Sequence, residues 1–124
     1  MFHGDIKQLA KENTNYRKVI YTGAYMQLVL MSIPKGGDIG METHEKTDQV
    51  LFFVKGEGKA ILNGQEQQVF EHDVVFVPAG TEHNFVNTGD EDLKLYTLYA
   101  PPNHPDKIVE KTKEEASLKE PEGE

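Results

Sequence analysis

A chain of 124 residues has room for one domain with a sizeable core and none for a second. Its 21 acidic against 13 basic side chains leave a formal net charge of -8, which argues against nucleic acid as a partner, because each phosphate would meet a repelling surface. With no cysteine, disulfides, iron–sulfur clusters and thiolate zinc sites are excluded, so any metal must be held by nitrogen and oxygen.

The opening Met1-Phe2-His3-Gly4-Asp5-Ile6-Lys7-Gln8 lacks the basic start and unbroken apolar run of a signal peptide. No apolar stretch approaches the ~20 residues that span a bilayer. The expectation is a cytoplasmic protein with no membrane partner. Ile6, Leu9 and Ala10 recur at helical spacing behind a capping Asp5, which predicts a short helix within an N-terminal segment over 1–17.

From Lys18 the texture turns to β. Val19 to Tyr21 and Tyr25 to Met31 read as two strands, the second ended by Pro34. Short strands and turns then alternate: Val50 to Val54, a turn at Gly56 to Gly58, Lys59 to Leu62, Val69-Phe70, Val74 to Val77, Phe85-Val86 and Leu93 to Tyr99. Asn63-Gly64 is a strong hairpin signal, because both central positions of a type I′ turn need positive φ. Many short strands at close spacing imply an all-β barrel or sandwich, here over 18–104. Pro101, Pro102 and Pro105 break that pattern. A charged tail follows over 105–124, with six Glu and three Lys from Glu110 onward, and reads as a solvated helix or an unstructured end.

The residues that carry chemistry sit inside the β region. In an extended segment, side chains two apart share a face, so one metal could reach both Glu42 and His44. A turn over Glu45 to Asp48 resets the parity, which lets Gln49 face them across a hairpin. His83 opens a strand after the turn Pro78-Ala79-Gly80-Thr81 and adds another strong ligand. His72 falls at a turn and is expected to be exposed. His3 and His104 lie in flanking segments and are weaker candidates. Leu51, Phe53, Val75, Val77 and Phe85, or their alternation partners, are expected to line the interior beside the site. Tyr25, Tyr96 and Tyr99 could supply a phenol, although packing is the commoner role.

Gly36 to Gly58 followed by His72 to Asn87 resembles the two motifs of the cupin superfamily. The first motif runs Gly, five residues, His, one, His, three or four, Glu, six, Gly, and is matched by Gly36, His44 and Gly56. The second runs Gly, five, Pro, one, Gly, two, His, three, Asn, and is matched by Pro78, Gly80, His83 and Asn87. Glu42, Gln49 and His72 depart from it, standing where His, Glu and Gly are usual. The resemblance implies a double-stranded β-helix, a jelly-roll-like barrel, and by position a metal set of Glu42, His44, Gln49 and His83. One carboxylate is retained, moved from the position of Gln49 to Glu42. Two imidazoles and two oxygens suit divalent Mn, Fe, Co, Ni or Zn.

The small size with a single motif pair resembles the stand-alone cupins grouped with sugar-phosphate-isomerase-like proteins. That implies an isomerase or lyase acting on a small sugar or a keto or hydroxy acid, with the metal polarising a carbonyl. Two alternatives stay open: an Fe(II) dioxygenase, since two His and one carboxylate compose the facial triad of that chemistry, and a non-enzymatic barrel that binds a small molecule. Arg17 is the single arginine, which favours a carboxylate or an unphosphorylated sugar over a phosphate. No general base is evident. The family also implies a homodimer.

Overall fold

The computed structural model describes residues 1–119 of the chain; residues 120–124 of the charged tail lie outside them. Among the described residues, ten strands form two antiparallel sheets. The six-stranded sheet has the order β10 (Val109–Glu110), β1 (Arg17–Thr22), β2 (Gln27–Ile33), β9 (Leu93–Ala100), β4 (Asp48–Lys55) and β7 (Val74–Val77). The four-stranded sheet has the order β3 (Glu42–Thr43), β8 (Glu82–Asn87), β5 (Gly58–Leu62) and β6 (Gln65–Val69). Facing each other, they make the double-stranded β-helix expected from the sequence.

Period-two alternation decides what fills the interior. On β4, Gln49, Leu51 and Phe53 are buried, whereas Val50 and Phe52 lie on the outer face and are half-buried. Leu51, Phe53, Val77 and Phe85 join one core cluster with Val29, Met31 and Leu95, and Val75 packs against it, which decides between the two alternation sets that the sequence leaves open. Asn63 and Gly64 both take positive φ, 49° and 81°, and close the β5–β6 hairpin as the Asn-Gly pair predicts. Gly58 is required for a different reason. A Cβ there would stand 2.5 Å from the carbonyl oxygen of Val86 on the paired strand.

Helix α1 (Ile6–Glu12) begins where expected, with Asp5 Oδ1 accepting from the amide of Gln8. It packs outside the larger sheet, setting Ala10 against Leu30 and Val54. Lys94 Nζ ends the helix by donating to the carbonyls of Lys11 and Asn13, a cation placed on the negative end of the helix dipole.

The segment after Pro105 departs from the solvated tail expected of its composition. Val109–Glu110 pairs with β1, placing Arg17 opposite Glu110, and α2 (Lys113–Lys119) sets Ala116 into the core. Charge density misleads here because Glu110 is fully buried and ion-paired to Arg17, at 2.7 Å.

Candidate metal centre

Cross-strand register brings the chemistry into one layer at one end of the barrel. On the smaller sheet Glu42 stands opposite His83, and His83 opposite Leu62. On the larger sheet Tyr99 lies between Gln27 and Gln49, and Gln49 stands beside Val77. Register partners in an antiparallel pair project to the same face. These residues therefore form two rows facing each other across the interior.

His44 enters from the loop between β3 and β4. Its carbonyl accepts the Gly80 amide at 2.8 Å, and Asp48 Oδ1 accepts the Ala79 amide at 2.9 Å. The turn preceding His83 is thus tied to the loop carrying His44, and the two imidazole rings come within 5.2 Å. Glu42 Oε1 lies 3.3 Å from His44 Nε2 and 3.9 Å from His83 Nε2. One donor atom from each of Glu42, His44 and His83 falls within 4.8 Å of the others, close enough for a single ion to be held by all three.

The hydrogen bonding around these groups fits a metal. His83 Nδ1 meets the carbonyl of Thr81 at 2.9 Å, so the ring proton belongs on Nδ1 and the lone pair on Nε2. That Nε2 is buried and has no hydrogen-bond partner; neither does either ring nitrogen of His44, nor Gln49 Oε1. A buried polar atom without a partner costs about 1–3 kcal/mol. Several such atoms on His44, His83 and Gln49 would be an expensive arrangement for packing alone, and a cation taking one nitrogen from each histidine relieves part of it.

Electrostatics prepares the same state. Burial raises the affinity of Glu42 for a proton, but the adjacent His44, with His83 and Arg17, outweighs it and holds the carboxyl below its ordinary range. Burial also pushes His83 below the usual imidazole value, despite its bond to the Thr81 carbonyl and the nearby Glu42. A charged carboxylate beside a neutral imidazole is the protonation state that binds cations.

Sequence reasoning placed Gln49 across a hairpin from Glu42, and the topology differs. β3 and β4 belong to opposite sheets, so no hairpin joins Gln49 to Glu42, and Gln49 is buried on the inner face of the larger sheet. Its Nε2 donates to Thr97 Oγ1 at 3.1 Å. His72 is exposed, as expected, and pairs with Glu71. Tyr25 is exposed and Tyr96 stacks on Phe52 at the outer face, which leaves Tyr99 as the phenol near the centre, its ring edge-on to His44 at 5.9 Å. His104, ranked low by its position in a flanking segment, packs edge-on against Tyr99 at 5.0 Å. Fully buried Gln27 holds it there, donating to the His104 carbonyl and accepting from the amides of Asn103 and His104. The prolines marked where the strands end but gave no sign that the chain folds back.

Comparison with known proteins agrees with this architecture. Residues 29–99 match the family model described as the cupin domain. YrkC of Bacillus subtilis, an uncharacterized protein, is 43% identical in an alignment of 119 residues that covers 90% of this chain and 63% of YrkC. The chain therefore spans less than two thirds of that relative. The crystal structure of BH2720 from Bacillus halodurans superposes with a TM-score of 0.93 at 39% identity, covering 94% of this chain and 93% of that one. A Thermotoga maritima protein described as a "predicted oxalate decarboxylase" gives a TM-score of 0.59 at 27% identity, covering 62% and 67% of the two chains.

Proposed function

From the premise that this chain belongs to the cupin domain family, we propose that it is a metal-dependent isomerase or lyase, in which Glu42, His44 and His83 hold a divalent Mn, Fe, Co, Ni or Zn ion and Gln49 Oε1 is the fourth ligand. The carrying observation is the convergence of buried, unpartnered imidazole nitrogens on one carboxylate. When bound, such an ion supplies Lewis acidity toward a carbonyl oxygen.

The protein's own groups set the rest of the chemistry. Leu62, in register with His83, gives the site an apolar flank that limits water. Tyr99 stands edge-on to His44, and His104 packs against Tyr99; a phenol and an imidazole are the kinds of group that could take up and return a proton. Arg17 is committed to Glu110, so no guanidinium fork is left to grip a phosphate. This supports a small keto or hydroxy acid or an unphosphorylated sugar as substrate. The Thermotoga protein described as a decarboxylase, a kind of lyase, is in keeping with that class.

Two imidazoles and one carboxylate also match the facial triad of Fe(II) oxygenases, and this supports a dioxygenase as the second reading. The two separate cleanly in solution. Metal-loaded protein is incubated in D2O with a panel of aldoses and keto and hydroxy acids, with proton NMR and an oxygen electrode as readouts. Deuterium incorporation or loss of a carboxyl without oxygen uptake is the expected result. Substrate-dependent oxygen uptake would replace it with the dioxygenase, and no turnover with any metal would leave a barrel that only binds.

A cytoplasmic homodimer completes the proposal. Val74 and Phe76 on edge strand β7 are 56% and 58% exposed and supply apolar surface for a second copy. Light scattering should give the mass of two chains, and a mass of one chain would contradict the assembly.

A further inference from the structure

Thr97 is fully buried on β9, directly opposite Leu51 on β4, and nothing in the motif pattern draws attention to it. Its hydroxyl is nonetheless used twice. Thr97 Oγ1 donates its proton to the Val50 carbonyl at 2.8 Å and accepts from Gln49 Nε2 at 3.1 Å. A hydroxyl has one proton to give. Once that proton lies on Val50, Oγ1 presents only lone pairs to Gln49, and the amide must meet it with its NH2 end. Turning the amide over would set two acceptor oxygens 3.1 Å apart in the core with no proton between them. The oxygen of Gln49 is therefore committed to the other direction, and that oxygen is buried without a partner.

We propose that Thr97 is a positioning residue, which locks the amide of Gln49 so that Oε1, and not the NH2 group, faces the metal centre. This rests on the metal-binding reading above and sharpens it, since an amide is a ligand through its oxygen alone. It also explains how a neutral Gln can serve there. A carboxylate is a donor at either oxygen and needs no such lock, whereas an amide is a donor at one end and repels a cation at the other.

Co2+ is the probe, with affinity from competitive titration and the visible absorption of the bound ion as readouts. Thr97→Val, nearly isosteric but without the hydroxyl, should weaken Co2+ binding by about 10–100-fold, the range for losing a group that orients a ligand, and should alter the spectrum. Thr97→Ser, which keeps the hydroxyl, should bind and absorb like the native chain. In a Gln49→Ala background, Thr97→Val should cause little further loss, because the group it positions is gone. A purely structural role would instead weaken binding equally in both backgrounds.

If Thr97→Val is too unstable to titrate, the native chain still answers the question. Its Gln49 side-chain NH2 protons should exchange slowly with solvent before and after Zn2+ is added. Native-like Co2+ binding by Thr97→Val, or Gln49 protons that become freely exchanging with Zn2+, would overturn the lock while the metal centre stands. A native chain that binds neither ion would overturn both.

Discussion

Replacing His83 with alanine is expected to weaken divalent-metal binding by at least about 100-fold, beyond the 10–100-fold typical of losing a mere orienting partner. The ring is 1% exposed, and the Thr81 carbonyl fixes its tautomer with Nε2 turned toward Glu42. Removing it deletes a ligand already paid for in burial. The variant gives up the Nδ1 bond to the Thr81 carbonyl and the ring's contacts with His44 and Phe85, so the metal-free chain should be less stable than the native one while still folding. What disappears is the rise in melting temperature on adding metal, since a ligand that binds only the native state stabilises it by mass action. His72→Ala serves as the control: that side chain is 67% exposed and affinity should not change. The pH dependence follows from the same burial. With His83 held below its ordinary value of 6.5 and Glu42 also lowered, neither takes up a competing proton until the solution is acidic past their usual ranges. Proton competition at these two groups should therefore be centred below pH 6.5, with affinity falling chiefly on the acid side of that value. A decline centred at or above that value, or a His83→Ala chain that binds metal like the native one, would contradict the assignment.

The largest expected effect on stability lies at the other end of β1. Glu110→Gln should lower the free energy of unfolding by about 3–5 kcal/mol, the usual result of stripping one partner from a buried ion pair. That is a large share of the ~5–15 kcal/mol by which domains are stable. The Arg17–Glu110 pair is 2.7 Å long, with side chains only 9% and 0% exposed, and Arg17 also lies over the ring of Tyr16, 5.2 Å from its centroid. Removing the carboxylate leaves a desolvated guanidinium beside an apolar core. The double replacement Arg17→Met with Glu110→Leu should recover most of the loss, because an apolar pair needs no compensation. Chemical denaturation measures both. A single variant within about 1 kcal/mol of native, the scale of an exposed pair, would show that the contact is solvated and that β10 does not hold the C-terminal segment.

These two sites also mark how far the sequence could be read. Glu42, His44 and His83 were legible because each sits at a fixed offset from a turn residue, and turn chemistry is local: Pro78 and Gly80 place His83 wherever the strand goes next. The strands of the barrel were legible for the same reason, through alternation and the Asn63-Gly64 turn. Arg17 and Glu110 are 93 residues apart and meet only because β10 returns to the far edge of the larger sheet. Nothing in the sequence near Glu110 distinguishes it from the glutamates that follow. Gln49 was singled out by spacing but expected across a hairpin that does not form, since spacing does not say which of two sheets a strand joins. Thr97 was hidden in another way, and Tyr99 and His104 stood out no more than several other candidates. Their roles come from cross-strand neighbours on β4 and from a fold-back clamped by Gln27, so they exist only once the register is known.

The central claim is that Glu42, His44, Gln49 and His83 hold a metal, and it is tested most directly by elemental analysis of protein purified without a metal-affinity tag. The account predicts near-stoichiometric Mn, Fe, Co, Ni or Zn in the native chain and none in His44→Ala with His83→Ala. A native chain without metal, even after each ion is added back, would contradict it.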